Sequence, residues 1–279
     1  MNFSVLMSVY INEKPEYLSR SLDSILKFQS IKPTEVILIQ DGKLTEELYG
    51  VIEKYTKLYP SILKTYKLEN NVGLGKALNI GLKKCNYDLI ARMDTDDIAV
   101  ENRFELQLDY LLNNEDISAV GGNIIEFDKG PEDVIAKKVM PTDKDEVYNY
   151  AKKRCPINHM TVMFRKNHIL DVGGYVPLLL AEDYYLWVRL LYSGYKIANI
   201  DEVLCLMQSG RDMYERRGKK SYYKNIGFIY KEMYENKMIN KIQQIIYTLG
   251  MKTFISMPPI AKKVIYQNFL RNKQKGDIY

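Results

Sequence analysis

Three carboxylates stand almost side by side in the stretch "DLIARMDTDDIA" at residues 88–99. Asp94, Asp96 and Asp97 come directly after an apolar run with the composition of a buried strand, where unpaired charge is costly. Like charges this close disfavour each other's ionised form unless they share a cation. Mg²⁺ or Mn²⁺, which prefer oxygen ligands, would satisfy the carboxylates together with the phosphates of a substrate. The cluster therefore predicts a divalent-metal site that binds a phosphorylated ligand.

Polar residues follow two other predicted strands in the same way. The segment 8–13 follows the first strand, and Asp41 follows the second. In open α/β sheets ligands bind outside the carboxyl ends of the strands, so these segments should converge with the acidic cluster on one crevice. A second interpretation stays open for Asp41 and Asp97 taken singly, because one Asp after a strand is also a common cap of the next helix.

The elements that would position these residues alternate along the first hundred residues, which predicts an α/β fold with a largely parallel sheet. The predicted elements are a strand at 3–9, a helix from Pro15, a strand at 35–39, a helix near 45–58, a strand near 63–68, a helix near 74–84 and a strand at 88–93. A helix near 101–113, a strand near 118–127 and less regular segments then predict a mixed sheet with insertions. We expect one α/β domain over residues 1–211 and a basic helical appendage over residues 212–279.

The bulk composition narrows the class of protein. With 279 residues, 46% of them hydrophobic, the chain can bury a globular core. Its three cysteines form no CxxC pair, which argues against a disulfide framework or a zinc ribbon and favours a reducing compartment. The N-terminal segment lacks the pattern of a signal peptide, and Lys252 and the Pro258-Pro259 pair interrupt the longest apolar segment near the C-terminus. We expect a cytosolic protein that does not cross a membrane.

Positive charge is concentrated at the C-terminal end of the sequence. From Met213 onward there are 14 Lys or Arg against 4 Asp or Glu, whereas the net charge of the whole chain is +5. Basic residues alternate there with aromatic and aliphatic ones, a composition that can lie in a membrane interface. Two interpretations of residues 213–279 stay open: peripheral contact with a membrane, and a solvated helical cap over the catalytic domain.

Several short motifs follow one another in a specific order over about residues 3–211. They are "SVY" at 8–10, Asp41-Gly42, "NNVGLGKALNIGL" at 70–82, "ARMDTDD" at 91–97, "NHMTVMFRK" at 158–166, "GGY" at 173–175 and "EDYYLWVRL" at 182–190. Each motif is weak to moderate in specificity, but their order is a strong signal. The sequence closely resembles family 2 glycosyltransferases with the GT-A fold, especially the bacterial branch that builds capsule, exopolysaccharide or O-antigen repeat units.

The resemblance implies a fold and a donor site. The fold is α/β, the GT-A or nucleotide-diphospho-sugar transferase fold, with a mixed, mostly parallel sheet flanked by helices. Asp94 and Asp96 match the DxD motif, which binds the metal and the diphosphate of a nucleotide sugar, and Asp96 is the more direct ligand of Mn²⁺ or Mg²⁺. The other positions that the resemblance assigns to nucleotide-sugar binding are Val9, Tyr10, Glu13, Asp41, Asn71, Lys76, His159 and Arg211.

The resemblance also gives these positions individual roles. Asp41 matches the acidic residue that hydrogen-bonds a uracil-type base. Glu13 and the main chain around Val9 and Tyr10 match the loop that lines the nucleoside. The segment 70–79, which includes Asn71, resembles the part that closes over the ribose and sugar, where Lys76 would face a phosphate.

Glu182 and Asp183 match the ED pair of the family, in which the aspartate is the general base. The resemblance implies that Asp183 takes the proton from an acceptor hydroxyl attacking the anomeric carbon from the face opposite the diphosphate, with inversion of configuration. A second interpretation stays open, because acidic residues also stabilise the N-terminus of a helix. Trp187 and the leucines after it are expected to pack this helix against the core.

Two further matches have strong competing interpretations. His159 matches a histidine near the acceptor or the diphosphate, and a purely structural histidine is equally compatible with the sequence. Arg211 matches an arginine near the diphosphate, although a solvated basic run is the commoner meaning of "GRDMYERRGKK". His168 is expected on a surface helix, and no His and Cys spacing indicates a catalytic zinc site.

The predicted function is metal-dependent, inverting transfer of a sugar from a nucleotide sugar, a UDP-sugar, to a glycan or polyprenyl-diphosphate-linked acceptor at the inner face of a bacterial cell membrane. A nucleotidyltransferase acting on sugar phosphates is one alternative, but it would need a basic, glycine-rich loop that "SVYINEKPEY" is not. A nucleic-acid-binding protein using the basic tail is another, and it leaves the acidic cluster unexplained. We therefore expect no nucleic-acid partner.

Overall fold

A computed structural model describes residues 1–209 and 220–257, in which a mixed sheet is flanked by helices. The strands are β1 (Ser4–Val9), β2 (Glu35–Gln40), β3 (Leu63–Lys67), β4 (Leu89–Arg92), β5 (Ile98–Ala99), β6 (Ile117–Phe127), β7 (Val134–Lys138), β8 (Met163–Arg165) and β9 (Lys196–Gln208). The helices are α1 (Pro15–Leu26), α2 (Glu46–Leu58), α3 (Leu74–Lys84), α4 (Arg103–Asn113), α5 (Lys144–Ala151), α6 (Lys166–Asp171), α7 (Glu182–Tyr192), α8 (Lys220–Glu235) and α9 (Lys241–Ser256).

The strand order of the sheet is β3-β2-β1-β4-β8-β6-β9-β5, and β7 pairs with β6. The first four strands in this order are parallel, whereas β8 runs antiparallel to both β4 and β6. Every residue of β2 and β4 is buried, as expected of parallel strands covered by helices on both faces. The carboxyl ends of β1, β2 and β4 consequently lie along one edge of the sheet.

Local sequence explains where the first helices begin. Pro15 occupies the first position of α1, where its missing N–H is not needed, and Leu18, Leu22 and Ile25 bury one face of that helix at helical spacing. Thr45 caps α2 by accepting a hydrogen bond from the amide of Leu48. These helices fill one side of the sheet and leave its carboxyl edge open.

Apolar side chains form one cluster on each face of the sheet and a third beneath the C-terminal helices. Trp187 and Leu190 of α7 are fully buried in the second cluster, which confirms the predicted packing of that helix. In the third cluster Tyr184 and Val188 pack with Ile229 and neighbouring residues of α8. The helical C-terminal segment therefore shares a core with α7. The predicted domain boundary between residues 211 and 212 lies outside the described residues and stays a prediction.

Candidate active site

The ends of β1, β2 and β4 lie together, as the sequence predicts. Val9 pairs with Gln40 across β1 and β2, and the amide of Asp41 donates to the carbonyl of Val9 at 2.8 Å. The amide of Met93, just after β4, donates to the carbonyl of Leu6 at 3.1 Å. Val9 itself is buried, so its main chain is the part that this edge offers to a ligand.

The acidic loop after β4 gives each carboxylate a different environment. Asp94 forms an ion pair with Arg92, whose side chain is buried. Asp97 is buried, and its Oδ1 accepts a hydrogen bond from the amide of Gln208 on β9 at 2.8 Å. Strand β5 follows Asp97, so the interpretation of Asp97 as a cap of the next helix is wrong. Asp96 lies between them, half-buried at the carboxyl edge of the sheet.

The loop after β1 completes an acidic cluster of Glu13, Asp94 and Asp96. Thr95 donates its hydroxyl proton to the Glu13 carboxylate, which fixes Glu13 against the acidic loop. Burial raises the pKa of Glu13, with a smaller contribution from the charge of Asp94. Burial first, and then the charges of Asp94 and Glu13, raise the pKa of Asp96 to about 7. Burial and the neighbouring charges therefore destabilise the ionised forms of Glu13 and Asp96.

A divalent cation fits this cluster. Within residues 1–209 and 220–257 no three His, Cys, Asp or Glu side chains converge as a complete metal cage. Mg²⁺ is commonly bound through one or two carboxylates together with substrate phosphates, and Asp94 and Asp96 offer that number of oxygen ligands. A cation here would also offset the repulsion that raises the pKa of Asp96.

Helix α1 holds the main chain of the acidic loop from the other side. Arg20 donates to the Asp96 carbonyl at 3.1 Å and to the Gln208 side chain at 3.0 Å. Ser21 donates its hydroxyl proton to the Asp94 carbonyl at 2.7 Å. These contacts fix the loop through its main-chain carbonyls, so they use neither the Asp96 carboxylate nor the Asp94 carboxylate, which pairs with Arg92.

Asp41 ties the end of β2 to the loop before α3. Its two carboxylate oxygens accept hydrogen bonds from the amides of Val72 at 2.7 Å and Gly73 at 3.1 Å. Asp41 does not cap the next helix, which Thr45 caps, but it anchors the start of α3. Gly42 has φ +88°, and a Cβ on it would lie 2.7 Å from the Asn71 nitrogen, so the loop approaches as closely as glycine allows. Asn71 itself is exposed, and its side-chain amide donates to the Asp41 carbonyl at 3.3 Å.

Tyr10 and Lys76 are both exposed, the first just after β1 and the second near the start of α3. Tyr10 follows β1 with 38% of its surface accessible, and Lys76 lies in the first turn of α3. Both can therefore contact a ligand without rearrangement of the fold. Their predicted roles in nucleotide-sugar binding stay predictions.

Glu182 and Asp183 lie in the first turn of α7, across from α3. A Cβ on Gly75 of α3 would lie 3.2 Å from Cγ of Glu182, so the two helix starts are in contact. Burial, followed by the charge of Asp183, raises the pKa of Glu182 to about 7. The Cys155 sulfur lies 3.5 Å from Oδ2 of Asp183, and burial together with Asp183 raises the pKa of that thiol. Cys155 therefore stays protonated, and its single S–H can donate either to the Ile157 carbonyl, at 3.2 Å, or to Asp183.

His159 and Tyr175 link the region of Asp183 to the acidic cluster. Nε2 of His159 lies 3.0 Å from the Tyr175 hydroxyl, within hydrogen-bonding distance. Burial lowers the pKa of His159, and the nearby charge of Arg92 lowers it further, so the imidazole is neutral at pH 7. The charge of Arg92 also acts on Asp96, so this arginine lies near both the histidine and the carboxylates.

The turn at Gly174, before α7, is held by side chains from both α3 and α7. The Asn79 side chain donates to the Tyr175 carbonyl and accepts from the Tyr175 amide, the latter at 2.8 Å. Arg189 of α7 donates to the carbonyls of Val172 and Gly174. Gly174 has φ +67°, and a Cβ on it would meet Asn79 Oδ1 at 2.5 Å. This turn therefore fixes Tyr175 relative to both α3 and α7.

The sequence also gave predictions for Arg211 and His168. Arg211 lies outside the described residues, so its assignment stays a prediction. His168 lies on α6 as predicted, where its Nδ1 is 2.9 Å from the Ser118 hydroxyl and its ring stacks on Tyr195.

Seven residues at the site were given no individual role from the sequence, although five of them lie within the quoted motifs. They are Arg20, Asn79, Arg92, Thr95, Cys155, Tyr175 and Arg189. Arg92 alone had a usable signal, because a charged residue within an apolar strand run is unusual and implies a buried partner. The others are identified by contacts that join distant parts of the chain.

The architecture is the GT-A fold seen in solved glycosyltransferases. A mannosyltransferase from Pyrobaculum calidifontis, solved with GDP-Man and Mn²⁺, aligns with a TM-score of 0.65 at 15% identity, over 92% of this chain and 70% of its own. TarS of S. aureus aligns with a TM-score of 0.65 at 18% identity over 96% of this chain. This chain spans 46% of the length of TarS. The predicted fold class is confirmed.

Sequence comparison then defines the family. Residues 4–170 match the model of glycosyl transferase family 2. An uncharacterized glycosyltransferase of Haemophilus influenzae is 38% identical over 97% of this chain and 100% of its own. The amylovoran biosynthesis glycosyltransferase AmsE of Erwinia amylovora is 36% identical over 95% and 98%. An Escherichia coli UDP-Gal:alpha-D-GlcNAc-diphosphoundecaprenol beta-1,3-galactosyltransferase is 43% identical over 79% and 78%. The chain belongs to glycosyl transferase family 2 and is a glycosyltransferase.

Proposed function

We propose that this enzyme transfers a sugar from a UDP-sugar to a glycan carried on a polyprenyl diphosphate, during assembly of a bacterial surface polysaccharide. The transfer inverts the configuration of the anomeric carbon and requires Mn²⁺ or Mg²⁺. The observation that carries the proposal is that the acidic cluster and Asp183, at the start of α7, both lie near the buried Tyr175. Two Escherichia coli relatives, which transfer from UDP-Gal and UDP-Glc to GlcNAc-diphosphoundecaprenol, support the choice of donor and acceptor class.

In this proposal residues 4–97 form the donor half of the site. Asp94 and Asp96 hold the cation, which when bound supplies positive charge to the departing diphosphate. Asp41 and the loop that it anchors border the nucleoside together with Glu13 and the main chain at Val9, whose carbonyl accepts a hydrogen bond from the Asp41 amide. Arg92 forms an ion pair with Asp94.

Residues 155–192 form the acceptor half. Asp183 removes the proton from the acceptor hydroxyl as that oxygen attacks the anomeric carbon. Its neighbour Glu182, with a pKa of about 7, is partly protonated at neutral pH and so limits the repulsion between the two carboxyl groups. The Cys155 thiol orients Asp183, and the His159–Tyr175 pair forms the wall between the two halves.

The lipid-linked acceptor implies that the enzyme works against the inner face of the cell membrane, where nucleotide sugars are available. No helix in the described ranges is long and apolar enough to cross a membrane. Contact with the bilayer would then be peripheral, through the basic segment 213–279.

The donor part of the proposal is tested by calorimetric titration of UDP, GDP and ADP, with and without Mn²⁺, on the intact protein and on Asp96→Ala. We expect UDP to bind most tightly, and only when both Mn²⁺ and Asp96 are present. Asp145→Ala is a matched control, because Asp145 is an exposed acid in the first turn of α5. Equal binding of UDP by Asp96→Ala, or no binding of any nucleotide, would contradict the proposal.

A further inference from the structure

Helix α9 exposes a continuous apolar stripe. Ile242, Ile245, Ile246 and Leu249 are 69%, 49%, 57% and 55% exposed, respectively. Their spacing of three, four and seven residues places all four on one face of the helix. We call these four residues the α9 stripe. Single exposed apolar residues are ordinary on protein surfaces, but four adjacent large aliphatic ones mark an interaction surface.

The stripe is presented by a helix whose position is fixed. Asn240 and Gln243 form a capping box at its N-terminus, with hydrogen bonds of 2.9 Å in both directions. On the opposite face Tyr247 and Met251 pack against the apolar cluster that α7 and α8 share. The outward direction of the stripe is therefore set by the packing of the inner face.

The charges around the stripe define what it would bind. Lys241 and Lys252 are exposed and lie along one border of the stripe, about 20 to 40° from Ile245 at 100° per residue. The sequence of α9 contains no Asp or Glu, and residues 220–257 carry six Lys against two Glu. An apolar stripe bordered by lysines matches the interface of a bilayer with anionic lipids, where aliphatic side chains enter the acyl boundary and ammonium groups meet phosphate.

The helices connect this surface to the acceptor half. Helix α9 packs on α8, and α8 packs on α7, where the Tyr185 hydroxyl donates to Glu232 at 2.9 Å. The side chain of Asn225 on α8 donates to the carbonyl of Leu179 at 2.9 Å, three residues before Glu182. A surface held by α9 is thus joined to the start of α7 through a continuous packed region.

We propose that the α9 stripe lies in the interface of an anionic bilayer and thereby holds the start of α7 near acceptors carried in that bilayer. The first part depends on the stripe and its lysines alone. The second part rests on the proposed function, because it needs a lipid-linked acceptor.

Vesicle flotation of the full-length protein, without metal or nucleotide, tests the first part. We expect the protein to bind vesicles of phosphatidylcholine with one quarter phosphatidylglycerol, and Ile242→Ser with Ile246→Ser to weaken that binding about tenfold or more, because two inserted side chains are lost. Leu58→Ser with Leu112→Ser is the matched control, since both leucines are exposed and lie on α2 and α4. Unchanged binding of the stripe variant would overturn the proposal.

Two further measurements separate other occupants of the stripe from lipid. Lys241→Gln with Lys252→Gln should weaken binding to the anionic vesicles severalfold and leave the weak binding to pure phosphatidylcholine unchanged. If light scattering found a dimer for the native protein and a monomer for the stripe variant, a second copy would cover the stripe and the proposal would be wrong. A native monomer supports it.

Activity distinguishes this proposal from the proposed function. The stripe variant should transfer sugar normally to a water-soluble acceptor analogue and at least severalfold more slowly to an acceptor embedded in vesicles. Asp183→Asn should float with vesicles like the native protein and transfer to neither acceptor. A stripe variant that matched the native protein on both acceptors would refute the link between α9 and the acceptor. An inactive native protein would refute the proposed function and leave vesicle binding as a separate result.

Discussion

The two halves of the proposed site are built by different means. In the donor half the functional groups follow three adjacent parallel strands, and their spacing is set by the sheet. In the acceptor half Tyr175 and Asp183 lie on a turn and a helix start, held by the side chains of Asn79, Cys155 and Arg189. The donor half therefore depends on backbone pairing and charge, and the acceptor half on side-chain packing between separate elements.

The halves also differ in the way their carboxylates are balanced. Asp94 has Arg92 as a buried partner, while Asp96 has a raised pKa that a cation would lower. Asp183 is accompanied by a protonated thiol and by Glu182, whose own pKa is near 7. A site with one half suited to bind a cation and the other suited to exchange a proton should respond separately to mutation of each half.

Asp183→Asn should give the largest difference between the loss of sugar transfer and the loss of UDP binding, because it should abolish the proposed proton transfer. We expect the rate of sugar transfer to fall about 10²- to 10⁴-fold or more, because general-base catalysis contributes about that much. The affinity for UDP and Mn²⁺ should be unchanged, since both belong to the donor half. Steady-state kinetics and calorimetry on the same preparation check this, with Asp145→Asn as the control. A parallel loss of UDP binding would show that the halves are not independent.

The pH dependence of Mn²⁺ binding should report on the donor half. Because Asp96 has a pKa of about 7, a metal must displace its proton below that pH, and the affinity should fall about tenfold per pH unit between 7 and 5. Calorimetric titrations at pH 5, 6, 7 and 8 measure this. A pH-independent affinity over that range would contradict the assignment of Asp96 as a ligand.

The raised pKa of Asp96 also affects the stability of the metal-free protein, which should decrease as the pH rises. Folded Asp96 and Glu182 hold protons that unfolded carboxyl groups release above about pH 4, so their contribution to the free energy of unfolding falls as the pH rises to about 7. Mn²⁺ should therefore raise the melting temperature more at pH 8 than at pH 5. An equal rise at both pH values would argue against metal binding at the acidic cluster.

Gly42→Ala tests the close approach of backbone in the donor half, and Gly73→Ala is its matched control. Both glycines have positive φ, but a Cβ on Gly42 meets the Asn71 backbone whereas a Cβ on Gly73 meets nothing within 4 Å. We expect Gly42→Ala to reduce the free energy of unfolding by about 2 to 4 kcal/mol and Gly73→Ala by about 1 kcal/mol. Urea unfolding of both variants measures the difference, and similar losses would mean that the loop can move aside.

Asn79→Ala should reduce the free energy of unfolding by about 1 to 3 kcal/mol, because it removes two hydrogen bonds to the Tyr175 backbone. We expect transfer to fall more than UDP binding, since Tyr175 belongs to the acceptor half. Asn113→Ala, at an exposed helix end, is the control. If Asn79→Ala reduced UDP binding more than transfer, this turn would belong to the donor half instead.

The sequence predicted the donor half better than the acceptor half for a physical reason. The strands and helices of the first hundred residues follow from local periodicity, and α3 was predicted with its bounds of 74–84. Strand β7 at 134–138 was missed, because a short polar edge strand is defined by its pairing with β6 and not by its own residues. The carboxylates were found by type and spacing.

Supporting contacts were not predictable in the same way. Arg20 reaches Asp96 across 76 positions of sequence, and Asn79 reaches Tyr175 across 96. Neither residue lies next to its partner's motif, and arginine or asparagine on a helix is ordinary. Only the packing of α1 and α3 against the sheet brings such residues to the site.

The position of Cys155 gives the molecule a chemical reporter. Cys85 and Cys205 are buried, whereas Cys155 is partly exposed with its sulfur 3.5 Å from Asp183. A small alkylating reagent should therefore modify Cys155 first, slowly at neutral pH and faster in alkali, because the pKa of its thiol is raised. A sugar acceptor seated beside Asp183 would shield that sulfur. The rate of alkylation then measures occupancy of the acceptor half directly, and libraries of acceptors can be ranked by mass spectrometry before any donor sugar has been identified.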